Sequence, residues 1–72
     1  MAKLPKAREV IRVIQKLGFY FSRQKGSHAI YYHDNGRRIT VTVHGGEDLG
    51  PAIFKQILKD AEITKEEFWK IL

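Results

Sequence analysis

Apolar residues in "PKAREVIRVIQKLG" (5–18) recur at three- and four-residue spacing. With Leu4 just ahead, Ala7, Val10, Ile11, Ile14 and Leu17 fall on one side, and Lys6, Arg8, Glu9, Arg12 and Lys16 take other positions. This periodicity predicts an amphipathic helix with a basic outer face. Pro5 suits its first helical position, and Gly18 suits a C-terminal cap. The pattern then changes. "FYFSR" (19–23), "SHAIYYH" (27–33) and "RRITVTV" (37–43) are short and rich in aromatic and β-branched residues, so they read as strands. "KG" or "QKG" joins the first two and "DNG" the last two. Asn35-Gly36 signals a hairpin, because both residues tolerate the positive φ of a type I′ turn.

With Asn35 and Gly36 as central turn residues, Tyr32 faces Ile39 and Ile30 faces Val41. With Lys25 and Gly26 turning the first hairpin, Phe21 faces Ile30, Phe19 faces Tyr32, and Arg23 faces His28. The predicted core face is then Phe19, Phe21, Ile30, Tyr32, Ile39, Val41 and Val43. The other face holds Tyr20, Ser22, Ala29, Tyr31, Thr40 and Thr42, a half-polar set that can meet water. "GEDLGPAIFKQILKDA" (46–61) reads as a second helix with Pro51 near its start and Asp48 or Gly50 as its cap. Its expected apolar face is Leu49, Ile53, Ile57, Leu58 and Ala61. "ITKEEFWKIL" (63–72) reads as a short last helix, with Thr64 and Glu67 in a capping-box pattern. The order is α-β-β-β-α with a short final helix. Both main helices must cover the single apolar face of a three-stranded antiparallel sheet, which gives a two-layer α+β fold.

Seventy-two residues suit one domain, residues 1–72, near the lower limit for folding without help; such a core yields roughly 3–5 kcal/mol of net stability. The chain has no cysteine, so disulfides and thiolate metal sites are excluded. No apolar run is long enough for a bilayer span, and no apolar signal segment opens the chain, so a soluble cytoplasmic protein is expected. Lys and Arg total 13 against 8 Asp and Glu, a net charge of +5. The excess is polarised. Arg8, Arg12, Lys16, Arg23, Lys25, Arg37 and Arg38 lie in the first helix and the hairpins, while most carboxylates follow Gly46. A polarised basic surface points to a polyanion such as RNA.

The candidate chemistry centres on "RQKGSHAIYYH" (23–33). His28 has core-face parity in the predicted register and begins its strand, so it is expected at the rim of the core. Histidine suits RNA cleavage: it can take a proton from a 2′-hydroxyl or give one to the leaving 5′-oxygen. Arg23 and Lys25 would bind phosphate and stabilise developing charge. Arg37 and Arg38 add to the RNA-binding set, and Ser27 would orient the turn or donate a hydrogen bond. No metal or other cofactor is needed, and His28, His33 and His44 lack ligand spacing. His33 is expected at the surface. His44, predicted near Ser27, is either a structural strand end or a second member of the site. Gly45-Gly46 lacks the lysine and spacing of a phosphate loop. On residue type and spacing alone, a structural and a catalytic His28 both stay open, as do stacking and packing roles for Tyr20, Tyr31 and Tyr32.

The order "LGF…R…KGSHAIYYH…ITVTVH…LGPAIFKQILKDAEIT" resembles HicA-type toxins, the mRNA-cleaving halves of HicA–HicB toxin–antitoxin pairs. Gly18-Phe19, Gly26-Ser27-His28, the strand ending in His44, and "ILKDAEIT" carry the resemblance, which spans nearly the whole chain. It implies a fold like the double-stranded-RNA-binding domain. It also implies a metal-independent endoribonuclease acting on translated messages, with His28 as the catalytic histidine and a HicB antitoxin that covers the site. Two positions depart from the family pattern. Thr42 stands where a proline is frequent, and Gly50-Pro51-Ala52 where Gly-Thr often opens the second helix; Gly-Ser-His is intact. The alternatives are a non-catalytic RNA-binding module that reads A-form shape and phosphates, and an interaction protein that docks through "FWKIL".

Overall fold

The computed structural model describes residues 3–43, 46 and 48–72. The element order is α1 (Ala7–Lys16), β1 (Tyr20–Lys25), β2 (His28–Tyr32), β3 (Arg38–Thr42), α2 (Pro51–Ala61) and α3 (Lys65–Ile71). The sheet is antiparallel in the order β1-β2-β3. Its inner face shares one hydrophobic cluster with all three helices. This is the expected two-layer α+β fold of double-stranded-RNA-binding-domain type.

Helix ends follow local chemistry. Lys6, not Pro5, caps α1, and its backbone N–H donates to the Glu9 carboxylate at 2.9 Å. Pro5 lies one residue before the cap, where its carbonyl accepts from Leu49 N–H at 2.8 Å. At the other end Gly18 adopts φ 99°, a left-handed conformation. Its N–H donates to the Gln15 carbonyl and that of Phe19 to Ile14, at 3.1 and 2.9 Å. Together they close a Schellman motif. Gly50 caps α2 with Pro51 at the first turn, and α2 ends at Glu62, a non-glycine residue at φ 59°. Thr64 and Glu67 form the expected reciprocal cap of α3, at 3.1 and 2.9 Å.

The helix faces rotate slightly from expectation. Val13 joins Ala7, Val10 and Ile14 as the buried side of α1. Phe54, Ile57 and Ala61 are the buried side of α2, and Ile53 faces outward. Phe68 is fully buried and meets Phe54 edge to face, with centroids 5.0 Å apart. Trp69 is half-buried against both rings, and Ile71 and Leu72 also pack on the core, so the apolar side chains of "FWKIL" are engaged within the fold.

The largest correction concerns strand register. Tyr31 pairs with Ile39 and Ala29 with Val41, one residue away from the predicted pairing. The cause is the loop. His33 N–H donates to the Arg37 carbonyl, and Gly36 N–H to the His33 carbonyl, both at 2.9 Å. Gly36 has φ 91°. Asp34-Asn35-Gly36 is therefore a three-residue loop, a turn followed by a left-handed glycine, and not a two-residue type I′ turn. One extra loop residue moves every β2 side chain to the opposite face.

The first hairpin turns at Gly26-Ser27, with Gly26 at φ 56° in the first central position, as in a type II′ turn. Lys25 pairs with His28, Arg23 with Ile30, and Tyr20 with Tyr32. A bulge between Phe21 and Arg23 leaves Ser22 unpaired. Ala29 and Tyr31 thus belong to the core, and Ile30 and Tyr32 to the open face. Phe19, Ile39 and Val41 are buried as predicted. Phe21 keeps inner-face parity and packs edge to face on Tyr31 at 5.6 Å, but on the edge strand it stays 53% exposed.

Candidate nucleic-acid interface

The corrected register arranges the open face of the sheet in three same-face rungs. Lys25, His28 and Thr42 form one, Arg23, Ile30 and Thr40 the next, and Tyr20, Tyr32 and Arg38 the third. His28 is exposed on this face instead of lying at the rim of the core. Lys25, not Arg23, stands directly across from it. Arg23 follows two residues along the edge strand, still on the same side.

The middle of the face is apolar. Ile30 is only 8% exposed, yet it stands outside the main core cluster. Arg23 and Thr40 flank it across the strands, and His28 and Tyr32 flank it along β2. The result is a covered apolar floor with cationic side chains on both edge strands. Tyr20 is 49% exposed at one end.

Ser27 occupies the turn that feeds His28. Its carbonyl accepts from Val43 N–H at 2.7 Å, which fastens the end of β3 to the first hairpin. The structural part of its expected role is therefore backbone orientation of the turn. The predicted proximity of Ser27 to His44 lies outside the described residues, as does Gly45.

Arg37 and Arg38 part company. Arg38 is exposed on the open face, in line with Tyr32. Arg37 is half-buried and engaged within the fold. Its guanidinium donates to the Asp60 carbonyl at the end of α2 at 3.3 Å, lies 3.5 Å from Glu62, and sits 5.3 Å from the Phe19 ring centre. Among the described residues its Nε is buried without a partner. The structure does not bring Arg37 to the face that holds His28.

His33 is also not the surface residue expected. It is half-buried, its ring 5.0 Å from that of Phe19, and its Nδ1 accepts from Asn35 N–H at 3.1 Å. Tyr31, a candidate for the open face, is buried beneath the sheet, and burial pushes its phenol above the ordinary tyrosine value of 10.0. The tyrosines on the open face are Tyr20 and Tyr32. Sequence reasoning missed Tyr32, Ile30 and the rung order because β2 is apolar at both parities. The signals that could have found them were Gly26-Ser27 as a type II′ pair and Asp34-Asn35-Gly36 as a three-residue loop.

Arg8 and Arg12 are exposed on α1, in the helix layer on the other side of the sheet. An apolar notch lined by Leu4, Pro51, Phe54 and Leu58, with Lys3, Lys55 and Lys65 at its rim, also lies in that layer. Among the described residues, no three His, Cys, Asp or Glu side chains converge where they could hold a metal ion. No helix among them is long and apolar enough to cross a membrane.

A family model described as the HicA toxin of bacterial toxin–antitoxin systems matches residues 7–63. The chain belongs to the HicA toxin family. The match runs from the first residue of α1 past the end of α2, so it covers the whole sheet and the Gly-Ser-His turn. No curated relative matches the chain. Membership of the HicA family implies a partner antitoxin and an RNA target.

Proposed function

We propose that this HicA chain is a cytoplasmic endoribonuclease that cleaves mRNA on the open face of its sheet, with His28 as the proton-transfer group and no metal. The observation that carries this reading is the placement of an exposed His28 directly across from Lys25, with Arg23 on the same side. The 2′-oxygen loses its proton and attacks the adjacent phosphorus. The bond to the 5′-oxygen breaks, and that oxygen takes up a proton. The products are a 2′,3′-cyclic phosphate and a 5′-hydroxyl end. His28 handles the proton at one of these two oxygens, while Lys25 and Arg23 hold the phosphate and offset the charge that develops on it. A HicB-type antitoxin that presents carboxylates to Arg23 and Lys25 would cover this face and silence it.

The test is incubation of purified protein with RNA in EDTA, beside His28→Ala. Loss of the imidazole should reduce cleavage about 10²–10⁴-fold, and the products should carry 5′-hydroxyl ends. Equal cleavage by both proteins would remove His28 from the mechanism. Loss of wild-type activity in EDTA would remove the metal-free route. The exposed Arg8 and Arg12 favour a second reading, in which the protein binds structured RNA through α1 without cutting it. That reading predicts salt-sensitive binding that is indifferent to His28→Ala.

A further inference from the structure

We propose that Tyr20 and Tyr32 form a base-stacking step that restricts this face to unpaired RNA. The two residues pair directly across β1 and β2 on the open face, Tyr20 exposed and Tyr32 half-buried. Arg38 stands across from Tyr32 on the other side, so the step has an aromatic pair with a cation beside it. Base stacking on exposed aromatic rings, with arginine nearby, is the recurrent way in which proteins hold single strands without reading their sequence.

Position makes the step part of the same site. Tyr32 lies four residues along β2 from His28, roughly 14 Å at strand rise. Buried Ile30 lies between them, so sugar or base edges crossing from His28 to Tyr32 pass over an apolar floor. Arg23 lines the same interval on the edge strand. A strand with its phosphate at His28 would therefore place a base a couple of nucleotides away on the tyrosines. In an A-form duplex the bases are stacked on one another and their faces are unavailable, so only an unpaired strand can use the step.

The bulge in β1 supports this independently. Tyr20 and Arg23 are three residues apart and would point to opposite sides of a regular strand. The extra residue, Ser22, turns both to the open face. Bulges often re-aim a side chain next to a functional site.

The inference rests on the ribonuclease reading only for the position of the cut phosphate. Its test uses fluorescent 2′-O-methyl oligonucleotides of mixed sequence, which cannot be cleaved through the 2′-oxygen, as single strands and as duplexes. The paired variant Tyr20→Ala with Tyr32→Ala should lose about 5- to 100-fold in single-strand affinity and keep its duplex affinity. Tyr20→Phe with Tyr32→Phe should recover most of the loss, which separates ring stacking from hydroxyl contacts and from misfolding. Unchanged single-strand affinity in the alanine pair overturns the step, as does an equal loss on duplex. If the wild type fails to cut ordinary RNA while the tyrosine-dependent preference persists, the ribonuclease reading fails and the step stands.

Discussion

His28 stands directly across the β1–β2 ladder from Lys25, and Arg23 lies one same-face rung further along, opposite Ile30. This order makes the edge strand a cationic rail beside the histidine. With Arg38 on β3, the face holds three cations that can track a phosphate backbone. Each neutralised phosphate on a single strand contributes about −0.7 to the slope of log affinity against log salt. Replacing Arg23, Lys25 and Arg38 with Gln should therefore flatten that slope by roughly 2. Replacing Arg8 and Arg12, on the opposite layer, should leave it nearly unchanged. A slope that responds to the α1 pair and ignores the sheet trio would assign binding to the helices.

Adjacent arginines lie in opposite settings, Arg37 engaged within the fold and Arg38 exposed on the open face. Arg37 joins the second hairpin to the C-terminal end of α2, where a cation is favoured by the helix dipole, and it lies over Phe19. Arg37→Ala should lower stability by about 1–2 kcal/mol, a fall in Tm of roughly 4–16 °C, with little change in RNA affinity for the protein that stays folded. Arg38→Ala should show the reverse. Thermal melts and a binding titration on both variants decide it; a stable Arg37→Ala protein with lost affinity contradicts the division.

Much of the architecture was legible in the sequence. Gly18, the Thr64–Glu67 cap and the helix periods located the helices, because caps and amphipathic spacing act over a few residues. The residues proposed for the site were also named from the sequence, as Gly-Ser-His and the basic tripeptide before it. Their arrangement was not. "HAIYY" offers apolar residues to both faces, so burial alone cannot choose between Ala29 with Tyr31 and Ile30 with Tyr32. Loop length makes the choice, and Asp34 counted as loop or strand reverses the outcome. The role of His33 depended on the same register together with Gly18, forty-odd atoms of backbone away in no local pattern.

Gly18 and His33 meet closely enough to test that contact. A Cβ on Gly18 would lie 2.9 Å from His33 Nε2, and the backbone there has φ 99°. Gly18→Ala should cost about 1–2 kcal/mol from the left-handed backbone alone, plus the clash. His33→Ala should relieve the clash and leave the backbone strain, so a double-mutant cycle by urea denaturation should show coupling of roughly 1 kcal/mol. Strict additivity would mean that the ring is not held against Gly18.

Buried Tyr31 gives the protein an alkaline weakness. Its phenol holds its proton more tightly in the folded chain than in the unfolded one, whose ordinary value is 10.0. The contribution is complete below that value and is lost as pH rises above it toward the folded value. Tyr31→Phe keeps the ring in the core and removes the titrating group. Denaturant titrations at about pH 9 and about pH 11 should show a shallower fall in stability for Tyr31→Phe than for the wild type. Identical falls would place the alkaline sensitivity elsewhere.

The central claim is that RNA is handled on the open sheet face and not on the helices. Amide chemical-shift mapping with an uncleavable 2′-O-methyl single strand tests it most directly. The account predicts shifts concentrated at Arg23, Lys25, His28, Ile30, Tyr32 and Thr40, with α1 unmoved. Shifts concentrated at Arg8 and Arg12, with the sheet residues unmoved, would contradict it.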